Sequence, residues 1–185
     1  MRLKLEYSKG KIAPLTLCLS LVVLDRLTKL LVSLSLPESL HSEAALTANH
    51  VSALRDLIWI VHIKNSLYMF GIAQRLNDAV QSLLFGFLPT LAILLLVVIY
   101  LLSTYRVSLF RTVTFSVLVA GALGNEIDRM LYSGRVVDFI GLRFLRRLGI
   151  VHWPIINIAD ALVAVSVILL LFSLLKEAVF AKATK

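Results

Sequence analysis

The side chains in this sequence with chemistry to offer lie inside, or at the edge of, strongly apolar runs. Asp25 and Lys29 stand in "VVLDRLTK", Asn125, Asp128 and Arg129 in "GNEIDR", Asp138 in "GRVVDFI", and Asn157 and Asp160 in "INIADAL". An ionisable group at membrane depth is costly and faces a bundle interior or water, so each is a candidate functional group. Two carboxyl groups held close cannot both ionise easily, and one keeps a proton near neutral pH. Such a pair can take a proton from water and protonate a leaving group, the chemistry of an aspartic hydrolase.

The spacing Asn-x-x-Asp occurs twice, at 125/128 and 157/160. In a helix it places amide and carboxylate on one face, where the amide can orient the carboxylate without adding charge. Spacing alone leaves the partner of Asp160 open between Asp128 and Asp138. Arg129 beside Asp128 suggests an ion pair that fixes a helix end, whereas Val136, Val137, Phe139 and Ile140 around Asp138 favour a raised pKa. Lys29, four residues after Asp25, either pairs with it or reaches for lipid headgroups.

Other chemistries find little support. His41, His50, His62 and His152 lack paired metal-ligand spacing, and the single cysteine, Cys18, allows no intramolecular disulfide or cysteine cluster. Neither a Gly-x-Ser-x-Gly elbow nor a phosphate-cradling glycine loop is present. The expectation is a site with no metal and no cofactor.

The elements that must position these residues are membrane spans. The 185 residues are 59% hydrophobic with mean hydropathy +0.89, well above a soluble domain. Four segments reach the length of about 20 apolar residues that a spanning helix needs: 12–34, 80–102, 112–132 and 155–175, the second containing Pro89. They use the whole chain, 1–185, as one membrane domain. The net charge of +8 sits mostly at span ends, where it sets topology and meets anionic lipid rather than nucleic acid. Arg2, Lys4, Lys9 and Lys11, then Arg106 and Arg111, then Lys176, Lys182 and Lys185 put both termini and the second connection in the cytoplasm. Asp25, Asp128, Asp138 and Asp160 then fall at one level near the extracytoplasmic face.

Two outer loops follow from this topology, 37–77 and 133–154. The run "DLIWIVHIKNSLYMFGI" alternates as short strands do. In "IGLRFLRRLGIVHW", Arg143, Arg146 and Arg147 share one helical face, opposite Phe144, Leu145, Leu148 and Val151 and ahead of Trp153, as in a segment lying among headgroups. Ala120, Gly121, Ala122 and Gly124 let helix backbones approach closely. The predicted fold is an all-α integral membrane protein: a four-helix transmembrane bundle with a small β-rich extracytoplasmic loop and an interfacial amphipathic segment.

"LDRLTK", "GNEIDR", "GRVVDFI" and "NIADALV", in that order across four spans, resemble the bacterial lipoprotein signal peptidase (signal peptidase II) family. The resemblance extends from about Val22 to Val165 and implies an intramembrane aspartyl endopeptidase of the bacterial inner membrane. Its substrate would be a prolipoprotein carrying diacylglycerol on the cysteine after the signal peptide, cut just before that cysteine. The family's catalytic dyad falls on Asp138 and Asp160. Asp25, Asn65, Asn125, Asp128, Arg129 and Asn157 match its polar supporting positions, with Lys29 beside Asp25. The resemblance also implies a monomer inhibited by cyclic peptide antibiotics of the globomycin type. One stretch departs from the pattern: Leu67, Tyr68 and Met69 in "NSLYMFG" stand where the family has small residues, which bears on the substrate pocket. Two other classes remain, a proton- or ion-coupled transporter, which needs carboxylates through the membrane thickness, and a non-catalytic membrane scaffold, which tolerates Asp→Asn.

Overall fold

The computed structural model describes residues 2–40, 42–66, 108–150 and 154–183, together with single positions between 77 and 95. Helix α1 runs Arg2–Ser35 and gives way one residue before Pro37, which disfavours a helical conformation at the residue ahead of it. The short α2, Glu43–Ala48, is capped by the Ser42 hydroxyl, which accepts from the Ala45 N–H at 3.2 Å. Strands β1, Val51–Ala53, and β2, Ile58–Ser66, follow. Helix α3, Leu109–Leu131, ends in a turn with Ser133 and Gly134 at positive φ and leads into β3, Arg135–Gly141. A 3₁₀ helix, Arg143–Leu148, β4, Ile155–Ile156, and α4, Ile158–Ala183, complete the order.

The four strands form one antiparallel sheet in the order β1-β2-β3-β4. The protein is therefore not all-α, and the strands do not all come from the first connection: β3 lies within 133–154 and β4 takes the first two residues of the predicted span 155–175. Strand β3 pairs with a strand about 70–80 residues away in sequence and β4 is only two residues long, so neither leaves a local periodicity, which is why β3 and β4 were not evident in the sequence. Leu46, Trp59, Val61 and Ile63, with Ile155 against them, form an apolar core beneath the sheet.

Helices α1, α3 and α4 overlap the predicted spans 12–34, 112–132 and 155–175, each running longer than expected, and α4 begins only at Ile158 because Ile155 and Ile156 form β4. The predicted span 80–102 and the departing stretch 67–69 lie outside the described residues, apart from isolated positions of the former. Among the described residues one helical segment, Ile158–Lys176, is long and apolar enough to cross a membrane, with mean hydropathy 2.6. In α1 and α3 the charges that interest us reduce the apolar length. Val165, Ile168, Leu171, Phe172 and Leu175 of α4 are exposed, a surface suited to hydrocarbon rather than water.

The helices meet through glycine. A Cβ at Gly121 would stand 2.5 Å from the Ala159 carbonyl oxygen of α4, and one at Gly124 would stand 2.7 Å from an Asp25 carboxylate oxygen of α1. Only a residue without a side chain allows α3 this close to both neighbours.

Candidate active site

The site forms where the sheet rests on the C-terminal ends of α1 and α3 and the N-terminal end of α4. Strand β2 supplies the first positioning device. Ile60 pairs with Ile140, but Ile63 pairs with Asp138, so one extra residue is inserted on β2 between them. Without that bulge Ile63 would face Val137. With it, Asp138 stands level with Ile63 and on the side of Asn65, whose Nδ2 donates to Asp138 Oδ2 at 2.7 Å.

The second device is the start of α4. Asn157 precedes the helix rather than lying within it. Its Oδ1 accepts from the Asp160 N–H at 2.9 Å, while Asp160 Oδ2 accepts from the Asn157 N–H at 3.2 Å. This reciprocal capping box satisfies helix-end donors and fixes the Asp160 carboxylate at the N-terminus. The Asn-x-x-Asp spacing at 157/160 is thus a cap, not a shared helical face.

The two asparagines join the carboxyl groups. Asn157 Nδ2 reaches Asp138 Oδ1 at 2.7 Å, Asn125 Oδ1 at 3.0 Å and the Val137 carbonyl at 3.3 Å. Asn125 Nδ2 donates to Asp160 Oδ1 at 2.7 Å. Asp138 and Asp160 are therefore each held by two N–H donors, and neither makes an ion pair among the described residues. Burial pushes the Asp138 carboxyl up to about 7, with the Asp160 charge adding to the rise and the Asn65 and Asn157 hydrogen bonds opposing it.

Asp25 and Asp128 are held differently. Lys29 is almost fully buried, and its Nζ stands 2.8 Å from Asp25 Oδ2, 2.9 Å from Asp128 Oδ2 and 3.1 Å from Asn125 Oδ1. Lys29 donates a hydrogen bond to Asn125 and forms ion pairs with both carboxylates, Asp25 Oδ2 having no hydrogen-bond partner among the described residues, and its burial keeps it from extending to the headgroups. Asp128 also pairs with Arg26 and accepts the Val137 N–H at 3.1 Å. Asp25 Oδ1 accepts the Ala159 N–H at 2.9 Å, a carboxylate from α1 at the N-terminus of α4. Asp128 is indeed bound in an ion pair, but to Arg26 and Lys29 rather than to Arg129.

Arg129 Nη1 instead meets Glu126 Oε2 at 3.2 Å, and its buried Nε has no hydrogen-bond partner among the described residues. Arg129, Asn125 and Asp160 give the polar side of a cavity of about 530 Å³, whose apolar side is Ala92, Ile93, Ala122, Val163 and Ala164. Asn65 Oδ1 is likewise buried without a partner among the described residues. Arg26 and Glu126 escaped the sequence reasoning. The i,i+3 spacing of Glu126 and Arg129 was available to find the second, while nothing local pointed from Arg26 to Asp128.

A family model described as Signal peptidase (SPase) II matches residues 17–176. The chain belongs to the signal peptidase II family. The lipoprotein signal peptidase of Treponema pallidum (strain Nichols) is 34% identical over 172 residues, covering 91% of this chain and 86% of that protein. The lipoprotein signal peptidase of Borreliella burgdorferi (strain ZS7) is 28% identical over 153 residues, covering 83% and 84%. A bacterial membrane enzyme solved by the in meso method at 1.9 Å matches with a TM-score of 0.70 at 27% identity, covering 89% of this chain and 93% of that one. As a signal peptidase II the protein is a bacterial membrane hydrolase of lipoprotein processing. Asp25, Asn65, Asn125, Asp128, Asp138, Asn157 and Asp160 share one cluster of hydrogen bonds and ion pairs, and Arg129 stands beside it on the cavity wall, paired with Glu126.

Proposed function

We propose that this signal peptidase II is an aspartic endopeptidase that removes the signal peptide from diacylglyceryl-modified prolipoproteins, cutting just before the lipidated cysteine. The observation that carries the reading is the division of the four carboxylates. Asp25 and Asp128 are neutralised by Lys29 and Arg26, while Asp138 and Asp160 are bridged by Asn125 and Asn157 with no cationic side chain paired to them among the described residues.

In this reading Asp138 carries the proton near neutral pH, and Asp160 takes a proton from the attacking water. The water oxygen bonds to the scissile carbonyl carbon while the protonated carboxyl polarises the carbonyl oxygen. Collapse of the tetrahedral intermediate breaks the C–N bond, and the leaving amine of the lipid-modified cysteine takes up the proton. Asn65, Asn125 and Asn157 orient the dyad, Arg129 faces the cavity that receives the signal peptide, and Asp25, Lys29 and Asp128 hold the helices beneath it. A cyclic peptide of the globomycin type would occupy the same cavity. The reading takes the protein as a monomer with both termini cytoplasmic and the site near the extracytoplasmic face, as the basic residues at the helix ends suggest.

A proton or ion relay would string carboxylates through the membrane thickness, whereas these four are joined in one hydrogen-bonded layer. The test is cleavage of a diacylglyceryl-modified prolipoprotein by purified protein, with Asp138→Asn and Asp160→Asn alongside. Wild type cleaves, and each folded variant loses at least about a hundredfold, the scale of one general acid–base group. Cleavage that survives Asp138→Asn would remove it from the dyad.

A further inference from the structure

The second outer loop carries a basic pocket that the cleavage site does not use. Arg143, Arg146 and Arg147 line it with Asp56, enclosing about 180 Å³. Its floor is fixed. Arg143 Nε is 3.2 Å from Asp56 Oδ2, and the Arg143 guanidinium lies 3.8 Å from the centre of the buried Trp59 ring. The Phe144 N–H donates to the Leu57 carbonyl at 2.8 Å, pinning the 3₁₀ helix to the β1–β2 turn, and the Leu142 N–H donates to the Pro154 carbonyl at 3.1 Å, tying the start of that helix to the residue before β4. Asp56, the acid in the pocket, is engaged by Arg143, Ser52 and the Trp59 indole N–H. Arg146 and Arg147 are exposed, and Arg147 makes no ion pair among the described residues.

The surroundings say what kind of anion fits. Leu54, Phe144, Leu148 and Ile150 are exposed on the same turn and 3₁₀ helix. A site for a free anion has no use for an apolar rim, whereas a phospholipid presents a phosphate and acyl chains together. We propose that this pocket binds the phosphate of an anionic phospholipid headgroup, with Arg146 and Arg147 on the phosphate and Leu148 and Ile150 at the acyl boundary. The assignment rests on the outer-layer placement given above but not on the peptidase chemistry.

The experiment is native mass spectrometry of the purified protein released from nanodiscs of phosphatidylcholine mixed with phosphatidylglycerol, without prolipoprotein, so its outcome is independent of cleavage. Wild type retains phosphatidylglycerol preferentially. Arg146→Gln/Arg147→Gln loses that preference by roughly fivefold per arginine removed, the scale of one basic residue at an anionic surface. A melting curve in phosphatidylcholine alone checks folding, and Arg147→Gln by itself serves if the double variant does not fold. Equal retention of both lipids by wild type, or an unchanged preference in the variant, would overturn the assignment. So would inorganic phosphate competing as well as the lipid, which would make the pocket a free-anion site.

Discussion

Asp138 and Asp160 are of one residue type, yet their surroundings differ, Asp138 lying on a strand and Asp160 in the first turn of a helix. Asp138 is buried on β3 and pushed up to about 7, chiefly by loss of water. A dyad needing the protonated form of Asp138 loses activity as pH rises through about 7, because deprotonation leaves two adjacent negative charges. The Asn65 hydrogen bond favours the ionised form, so its removal raises the Asp138 value further. Asn65→Ala is therefore expected to move the alkaline limb of kcat/KM upward, whatever it does to the maximal rate. A pH–rate profile of both proteins decides; a limb that stays in place or moves down would show that Asn65 acts on substrate rather than on Asp138. Asn65 entered the site from the resemblance alone, since an asparagine in a strand carries no periodic signal.

Elements bring these side chains together by close approach, and α3 is the critical one. Gly124 has the Asp25 carboxylate where its Cβ would be, and Asp25 in turn holds the first turn of α4. Gly124→Ala must push α1 and α3 apart or displace Asp25, with a cost of about 1–3 kcal/mol for overpacking. Gly134→Ala makes a useful contrast. It has open space at its Cβ but a φ of +84°, so it costs about 1–2 kcal/mol in the left-handed conformation without touching the ion pairs. Both variants should melt lower in detergent, and only Gly124→Ala should also lose cleavage in the protein that remains folded. Equal loss of cleavage in both would mean that the turn into β3, not helix approach, governs the site. The small-residue stripe was legible in "VAGALGN" as a packing surface. That it meets Asp25 was not, because the contact spans 99 residues of chain.

For the whole molecule, the sequence reading located helices α1, α3 and α4, the carboxylates that cluster between them and strand β2, all of which have a periodicity or composition of their own. It could not show that the second outer loop completes the sheet, or that Lys29 is a hub, since both depend on pairings between distant segments. Through one ammonium, α1 touches α3 twice, at Asn125 and Asp128, and Asp128 passes the connection to β3 through the Val137 N–H. Breaking one member of a buried ion pair leaves an uncompensated charge and costs about 3–5 kcal/mol. Lys29→Met and Asp128→Asn should each destabilise on that scale, but the double variant leaves fewer orphaned charges than the two singles together. Its loss is expected to fall short of their sum by about 0.5–3 kcal/mol. Arg26 keeps the shortfall incomplete, because it still lacks its partner in the double variant. Reversible unfolding of the four proteins in one detergent measures the coupling. Strict additivity would mean that Lys29 and Asp128 act through separate neighbours, and that the layer is an assembly of independent pairs rather than one cooperative support for the dyad.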